Sequence, residues 1–140
     1  MKRTNQSGFS LIELLLVVVI IGIIASVALP YLIKAKYAAE NASMFSTLRS
    51  MSSAQLNFYS QNGRYATLPE LNVSQHQVFG TTIGTNIRRG NFNIDMGDVT
   101  AADVSLRTNF TMTATKTLDA NDLPYVIAVS ADGRVVQITP

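Results

Sequence analysis

The stretch SGFSLIELLLVVVIIGIIASVALP, residues 7–30, decides the fold of the N-terminal part of this 140-residue chain. It is almost entirely apolar, and its one charged residue is Glu13. At about 1.5 Å per residue, a helix over residues 9–33 is long enough to cross a hydrocarbon core of roughly 30 Å. We therefore expect a hydrophobic helix over residues 9–33 that faces lipid or other subunits.

The single carboxylate in this helix needs an explanation. An acidic residue costs about 2.5–3.5 kcal/mol at the centre of a membrane helix and less near its end. Glu13 either reaches the headgroups, is protonated, or has a partner. If the chain were cut between Gly8 and Phe9, Phe9 would carry a new amine four residues from Glu13. The amine of a neighbouring subunit could then pair with Glu13 in a low-dielectric bundle.

Basic residues lie on both sides of the apolar segment, at positions 2, 3, 34 and 36. Their positions orient the helix only weakly, and we expect the N-terminus in the cytoplasm because the downstream part resembles a folded domain. A cleaved secretory signal is the alternative, with a small-residue site in IIASVALP. The continuation of the apolar run past Pro30 argues against it.

Composition excludes several classes of function. Without residues 1–8, Lys plus Arg falls from 11 to 9 and equals the 9 Asp plus Glu, so net charge gives no support for nucleic-acid binding. The chain has no cysteine, which excludes disulfides, thiolate metal sites and cysteine nucleophiles. His76 is the single histidine, so no histidine cluster or triad is possible. We predict no catalytic residue, no cofactor site and no metal site.

The helix is predicted to continue through residues 34–62, because no Gly or Pro follows Pro30 until Gly63. This continuation is amphipathic, and Asn62-Gly63 is a typical helix end. The predicted core-facing residues recur at helical spacing: Tyr37, Met44, Leu48, Met51 and Phe58, flanked by Phe45 and Leu56. The whole helix is then about 50 residues long.

Residues 63–140 are expected to form a region of loops and antiparallel strands. We predict a loop containing Pro69, a connecting segment over 72–103 with one strand near NFNIDM, and an amphipathic strand in VSLRTNFTMTATKT. In YVIAVSADGRVVQIT, two runs of β-branched residues flank Asp132-Gly133, which predicts a hairpin. The fold class is therefore α+β, with the second half of a long N-terminal helix packed against a small antiparallel sheet.

Other polar patterns are weak signals. Arg88-Arg89 is interpreted as a solvated pair, and GTTIGTNIRRG lacks the spacing of a phosphate-binding loop. Calcium is a minor alternative for two acidic groups, but neither has EF-hand spacing. These groups are Asp95, Asp98 and Asp103, and Asp119 with Asp122.

The stretch GFSLIELLLVVVIIGIIASVALP, with its short basic leader, resembles the class III signal of type IV prepilins and type II secretion pseudopilins over residues 2–30. The resemblance implies that prepilin peptidase cuts after Gly8 and that Phe9 becomes the N-methylated first residue. It implies that Glu13 guides assembly by meeting a neighbour's Phe9 amine. Gly22 and Pro30 match positions around which such helices bend or loosen in filaments.

The resemblance divides the chain into a leader (1–8), a transmembrane and filament-core helix (9–33), its amphipathic continuation (34–62) and a globular region (63–140). It implies a structural subunit of a type IV pilus, not an enzyme, which is stored in the inner membrane as a single-pass precursor. The subunit then polymerises into an extracellular filament for adhesion, motility or DNA uptake, although charge does not support DNA binding.

The implied partners are further copies of the chain, prepilin peptidase, the assembly platform, motor ATPases and minor pilins. A type II secretion pseudopilin is the alternative, followed by a membrane-anchored binding domain. The chain lacks the Gly- and Asp-rich calcium loop of major pseudopilins, and it lacks the C-terminal disulfide of many pilins.

Overall fold

The computed structural model of the chain describes residues 8–116 and 124–139. The chain divides into two compact units, residues 1–40 and 41–140. Helix α1 spans Leu11–Asn62 and helix α2 spans Leu68–Ser74. The described residues also form six strands and a short 3-10 helix at Val104–Arg107. The strands are β1 Thr81–Ile83, β2 Asn86–Arg89, β3 Phe92–Asp95, β4 Thr111–Lys116, β5 Tyr125–Ser130 and β6 Val135–Thr139. The predicted α+β class is confirmed.

Helix α1 runs for 52 residues and includes Pro30. It ends where the sequence predicts, because Gly63 adopts the left-handed conformation with φ +67°. The N–H of Gly63 donates to the carbonyl of Tyr59 at 2.8 Å. The side-chain amide of Asn62 donates to the carbonyl of Phe58 at 3.0 Å. The first bond supplies a donor to one of the last four carbonyls of the helix, and the second adds a side-chain donor to the turn before it.

The six described strands form one antiparallel sheet in the order β1 to β6, so each strand pairs with the next strand along the chain. Its inner face is apolar. Ile87, Ile94, Ala114 and Ile127 lie opposite one another across β2 to β5, and all four are fully buried. This register places alternate residues of β3, β4 and β5, together with Ile87 of β2, in the core.

The C-terminal part of α1 supplies the helical half of this core. Met44, Leu48 and Met51, spaced by four and three residues, are at most 2% exposed. Burial of each such side chain contributes roughly 1.5–3 kcal/mol. The prediction is confirmed for these three residues, and Phe45 and Phe58 pack at the core's margin. Leu56, which was expected to flank this face, is 50% exposed.

The segment read as a loop with Pro69 contains helix α2 instead. Thr67 precedes the helix in extended conformation, and its backbone N–H and its hydroxyl both donate to Glu70 Oε2 at 3.0 Å. Proline is well tolerated in a first helical turn, where its missing N–H has no intrahelical acceptor. The loop prediction is therefore wrong for residues 68–71, which lie in α2.

Residues 72–103 hold more structure than the single strand predicted near residues 91–96. That strand is present as β3, but β1 and β2 form an additional hairpin before it. Gly84, at φ +61°, lies in the turn between them. Strands of three and four residues are too short to show a clear alternation of apolar and polar residues.

The last three strands follow the prediction more closely. In the described part of VSLRTNFTMTATKT, residues 104–116, the strand covers 111–116, and residues 104–107 form the 3-10 helix. Leu106, Phe110, Met112 and Ala114 are nevertheless all buried. Strands β5 and β6 form the predicted hairpin, and Gly133, at φ +74°, donates its N–H to the carbonyl of Ser130 at 2.9 Å.

Candidate assembly segment

Residues 8–33, called here the assembly segment, begin with three exposed, non-helical residues, Gly8 to Ser10. The helix starts at Leu11, and the carbonyl of Ser10 accepts the N–H groups of Glu13 at 3.1 Å and Leu14 at 3.3 Å. The Gly8–Phe9 peptide bond therefore precedes the first residue of the helix, Leu11.

Glu13 lies in the first turn of α1, and its side chain bends back toward the chain that precedes it. Carboxylate oxygen Oε2 accepts a hydrogen bond from the backbone N–H of Ser10 at 2.8 Å. This is one half of a capping box, in which an acidic side chain at the third helical position satisfies a free backbone donor. The positive end of the helix dipole also favours a carboxylate here.

The large apolar side chains of the assembly segment are exposed to solvent in the described structure. They range from 46% exposed at Val17 to 82% exposed at Phe9. The helix is long and apolar enough to cross a membrane, with a window of mean hydropathy 3.0. Such a surface needs lipid or apolar protein around it, because water would be an unfavourable solvent.

Gly22 and Pro30 lie within the continuous helix. A Cβ added at Gly22 would meet no atom within 4 Å. Pro30 has no N–H, so the carbonyl of Ser26 loses its usual helical donor. The Ser26 hydroxyl donates to the carbonyl of Ile23 at 2.7 Å. The chain is helical at both positions, and bending or loosening there within a filament stays a prediction.

In the globular unit, the side chain of Gln55 in α1 forms hydrogen bonds with the backbone of Ala66, which lies after the end of the helix. Its side-chain amide is fully buried, donates to the carbonyl of Ala66 at 2.8 Å and accepts the N–H of Ala66 at 2.7 Å. Both hydrogen-bonding groups of the Ala66 backbone are thus satisfied by one side chain. Sequence analysis missed this residue because it considered only apolar residues for the buried face of the helix.

Arg64 and Glu70 form a second polar connection between the end of α1 and α2. The guanidinium donates to both carboxylate oxygens, at 2.9 and 2.7 Å, and lies 5.5 Å from the centre of the Phe58 ring. The hydrogen bond from Arg64, helped by those from Thr67, lowers the pKa of Glu70 from 4.5 to about 2. The same contact raises the pKa of Arg64.

Lys116, at the end of β4, is only 2% exposed. Its ammonium group lies 3.3 Å from Asn41 Oδ1 and 5.3 Å from the centre of the Phe92 ring. The signal for its burial was present in the sequence, because Met112, Ala114 and Lys116 alternate on the same face of the strand.

Within the described residues, the acidic side chains considered for calcium form no metal-binding group. Asp95 Oδ1 accepts the backbone N–H groups of Met96 at 2.8 Å and Gly97 at 3.0 Å, and Asp103 Oδ2 accepts the backbone N–H and hydroxyl of Thr100. Among the residues that the structure describes, no three His, Cys, Asp or Glu side chains are grouped to hold a metal. Asp119 and Asp122 lie outside the described residues.

The sequence matches the prokaryotic N-terminal methylation motif over residues 3–29. It is 36% identical over 87 residues to the type IV major pilin protein PilA of Myxococcus xanthus. This match covers 62% of this chain and 34% of that protein. It is also 37% identical over 67 residues to the type II secretion system core protein G of Klebsiella michiganensis. The same protein of Aeromonas hydrophila is 36% identical over 67 residues.

Each of the two core G proteins covers 48% of this chain, and the match covers 47% of each core G protein. The chain therefore spans from about a third to about half of the length of the curated relatives that it matches. The methylation motif contains Gly8, Phe9, Glu13 and Gly22, and it ends one residue before Pro30.

Proposed function

We propose that this chain, which belongs to the family of type IV pilins and type II secretion pseudopilins, is a structural subunit of a type IV pilus. The observation that carries the proposal is the uncovered apolar helix of the assembly segment with one carboxylate in its first turn. A polymer built through its helices would use both the apolar surface and the carboxylate. The role needs no catalytic residue.

The apolar helix gives the subunit two stable environments. In the inner membrane its side chains face lipid, and in a filament they face the helices of other subunits. Extraction exchanges one apolar environment for another, so burial of apolar surface is preserved. The motor ATPases and the assembly platform supply the work for this step, and minor pilins are further partners.

Processing prepares the N-terminus for the filament. Prepilin peptidase cuts the exposed Gly8–Phe9 bond, and Phe9 is then N-methylated. The new amine keeps its positive charge and pairs with Glu13 of a neighbouring subunit. Because a pair of opposite charges is far stronger in a low-dielectric bundle than in water, it fixes the axial register of the subunits. The filament then serves adhesion, motility or DNA uptake at the cell surface.

A pseudopilin of a type II secretion system is the second candidate. The observation in its favour is that the match covers a larger share of the two core G proteins, 47%, than of the major pilin, 34%. A pseudopilin subunit would use the same segment in a short periplasmic filament.

Mass spectrometry of filaments sheared from the cell surface tests the proposal. We expect this chain to dominate the shear fraction and to begin at a singly methylated Phe9. A chain that is cut and methylated but stays in the membrane fraction supports the pseudopilin instead. A chain that keeps residues 1–8 in the membrane overturns both and supports an anchored binding domain.

A further inference from the structure

Arg89 lies at the end of β2 in the globular unit, and its guanidinium borders an open cleft of about 320 Å³ between α1 and the chain that follows α2. We propose that this cleft binds the phosphate group of a larger molecule, held between the guanidinium of Arg89 and the hydroxyls of Ser43 and Ser46. The inference rests on residues 43–89 of the globular unit and does not depend on the proposed filament.

The strand separates the two neighbouring arginines, which the sequence analysis interpreted as one solvated pair. Consecutive residues of a strand point to opposite faces, so Arg89 shares the inner face with the fully buried Ile87. Arg88 is exposed, whereas Arg89 is partly buried. Nη1 of Arg89 donates to the carbonyl of Val78 at 2.9 Å and to that of Phe79 at 3.4 Å. These two bonds fix the guanidinium beside the cleft.

The guanidinium of Arg89 retains unused donors and lacks a counter-charge. It has five N–H groups, and both of its hydrogen bonds come from Nη1. In the part of the chain that the structure describes, Nη2 and Nε have no acceptor, and no carboxylate forms an ion pair with Arg89. The cleft has no acidic residue in its lining. Because a charge that is partly withdrawn from water is normally paired, this cleft favours an anion.

Helix α1 supplies hydroxyl groups on the other side of the cleft. Those of Thr47 and Ser50 donate to the carbonyls of Ser43 at 2.9 Å and Ser46 at 3.1 Å. The hydroxyls of Ser43 and Ser46 also border the cleft, and both have no hydrogen-bond partner within the described residues. Donors on two sides suit a tetrahedral phosphate, whose oxygens point in several directions, better than a planar carboxylate.

The cleft has room for more than a phosphate ion. Val78, which is 67% exposed, and Phe79 form an apolar wall beside the guanidinium. Ligand sites commonly combine such a wall with a few polar groups that fix the orientation of the ligand. We therefore expect an apolar portion attached to the phosphate to pack on this wall.

The test is titration of the full chain with inorganic phosphate, read from the NMR shifts of the Ser46 and Phe79 amides in a maltoside detergent that contains no phosphate. We expect saturable shifts in the wild type and about tenfold weaker binding in Arg89→Gln, which loses a charged donor. Ser46→Ala, which changes only an exposed side chain, should weaken binding about threefold. The matched controls Arg49→Gln and Ser53→Ala, exposed elsewhere on α1, should bind within about twofold of the wild type.

Two further probes test the shape of the ligand. At equal ionic strength, acetate should bind more weakly than phosphate, and phenyl phosphate should bind about threefold more tightly because its ring buries apolar surface. Acetate binding as tight as phosphate binding overturns the tetrahedral assignment, and phenyl phosphate binding no tighter than phosphate overturns the apolar wall.

The absence of saturable shifts with phosphate in the wild type overturns the site itself. Equal affinities in Ser46→Ala and Ser53→Ala, or in Arg89→Gln and Arg49→Gln, overturn the assigned residues. Because the measurement uses single subunits in detergent, a failure of pilus assembly leaves its result unaffected.

Discussion

Arg64 and Glu70 face each other in a bidentate pair, with nitrogen–oxygen distances of 2.9 and 2.7 Å. Glu70 also accepts the backbone N–H of Thr67 at the start of α2. One carboxylate therefore joins the chain just after the long helix to the first turn of the short one. Because the pair is partly buried, with side chains 25% and 33% exposed, it is stronger than an ordinary surface pair.

This pair predicts an acid-sensitive contribution to stability. The folded pKa of Glu70, about 2, lies below its ordinary value of 4.5. The stabilisation is therefore fully present above about pH 4.5 and is lost as the pH falls toward about 2. After allowance for solvent screening, we expect a loss of about 1–2 kcal/mol in the free energy of unfolding.

Denaturant unfolding of the globular unit in the detergent-solubilised chain, at about pH 6 and about pH 3, measures this loss. Glu70→Gln is the control, since an amide keeps an acceptor for Thr67 but does not titrate. The wild type should lose more stability than Glu70→Gln over this interval. Identical pH dependence in the two proteins would contradict the assignment.

Truncation of Gln55 should destabilise the globular unit. Gln55→Ala leaves the N–H and carbonyl of Ala66 without their partners and opens a cavity beside the core, so we expect a cost of about 2–4 kcal/mol. Gln61→Ala, on the exposed surface of the same helix, should change stability by less than about 0.5 kcal/mol. Denaturant unfolding of both variants decides the matter, and similar values for the two would refute the role of Gln55.

Gly22→Ala tests whether the helix must loosen during assembly. The added methyl meets no atom within 4 Å in the subunit, and alanine favours a helix over glycine by about 1 kcal/mol. We expect normal membrane insertion and slower amide exchange near residue 22, but less filament in the shear fraction. Ile23→Leu, which keeps a large apolar side chain and leaves Gly22 in place, should assemble normally. Wild-type filament yield from Gly22→Ala would show that loosening at this position is not required.

Gly8→Asp tests leader removal. A charged side chain beside the scissile bond should leave residues 1–8 attached, so no free Phe9 amine forms and no filament assembles. Gly8→Ala, which keeps a small residue, should still be cut. Mass spectrometry of the N-terminal peptide in the membrane fraction reads both variants. Normal filaments made by an uncut Gly8→Asp chain would disprove the processing step.

The sequence was most informative where one local signal is strong. The absence of Gly and Pro between Pro30 and Gly63 predicted the length of α1, and Asp132-Gly133 predicted the last hairpin. The basic leader, Gly8, Phe9 and Glu13 predicted the family because their spacing is specific. The roles of Gly8, Phe9, Glu13, Gly22 and Pro30 stay predictions, since each concerns processing or assembly with other molecules.

The sequence was least informative where tertiary contacts decide the structure. Helix α2 begins with Thr67 and Glu70 in capping positions, but Pro69 between them favoured a loop. The burial of Gln55 and Lys116 contradicts the usual exposure of their residue types, and the structure explains it by hydrogen bonds to Ala66 and Asn41. Those partners are 11 and 75 residues away along the chain, so no local pattern identifies them.

The order of the strands has a consequence for how the globular unit folds. Because neighbours in the sheet are also neighbours in the chain, each strand can add to an existing edge without a search for a distant partner. Folds dominated by local pairing have low contact order and fold fast. Local pairing of this kind therefore favours early formation of the hairpins, so that few strand edges stay unpaired while the sheet forms.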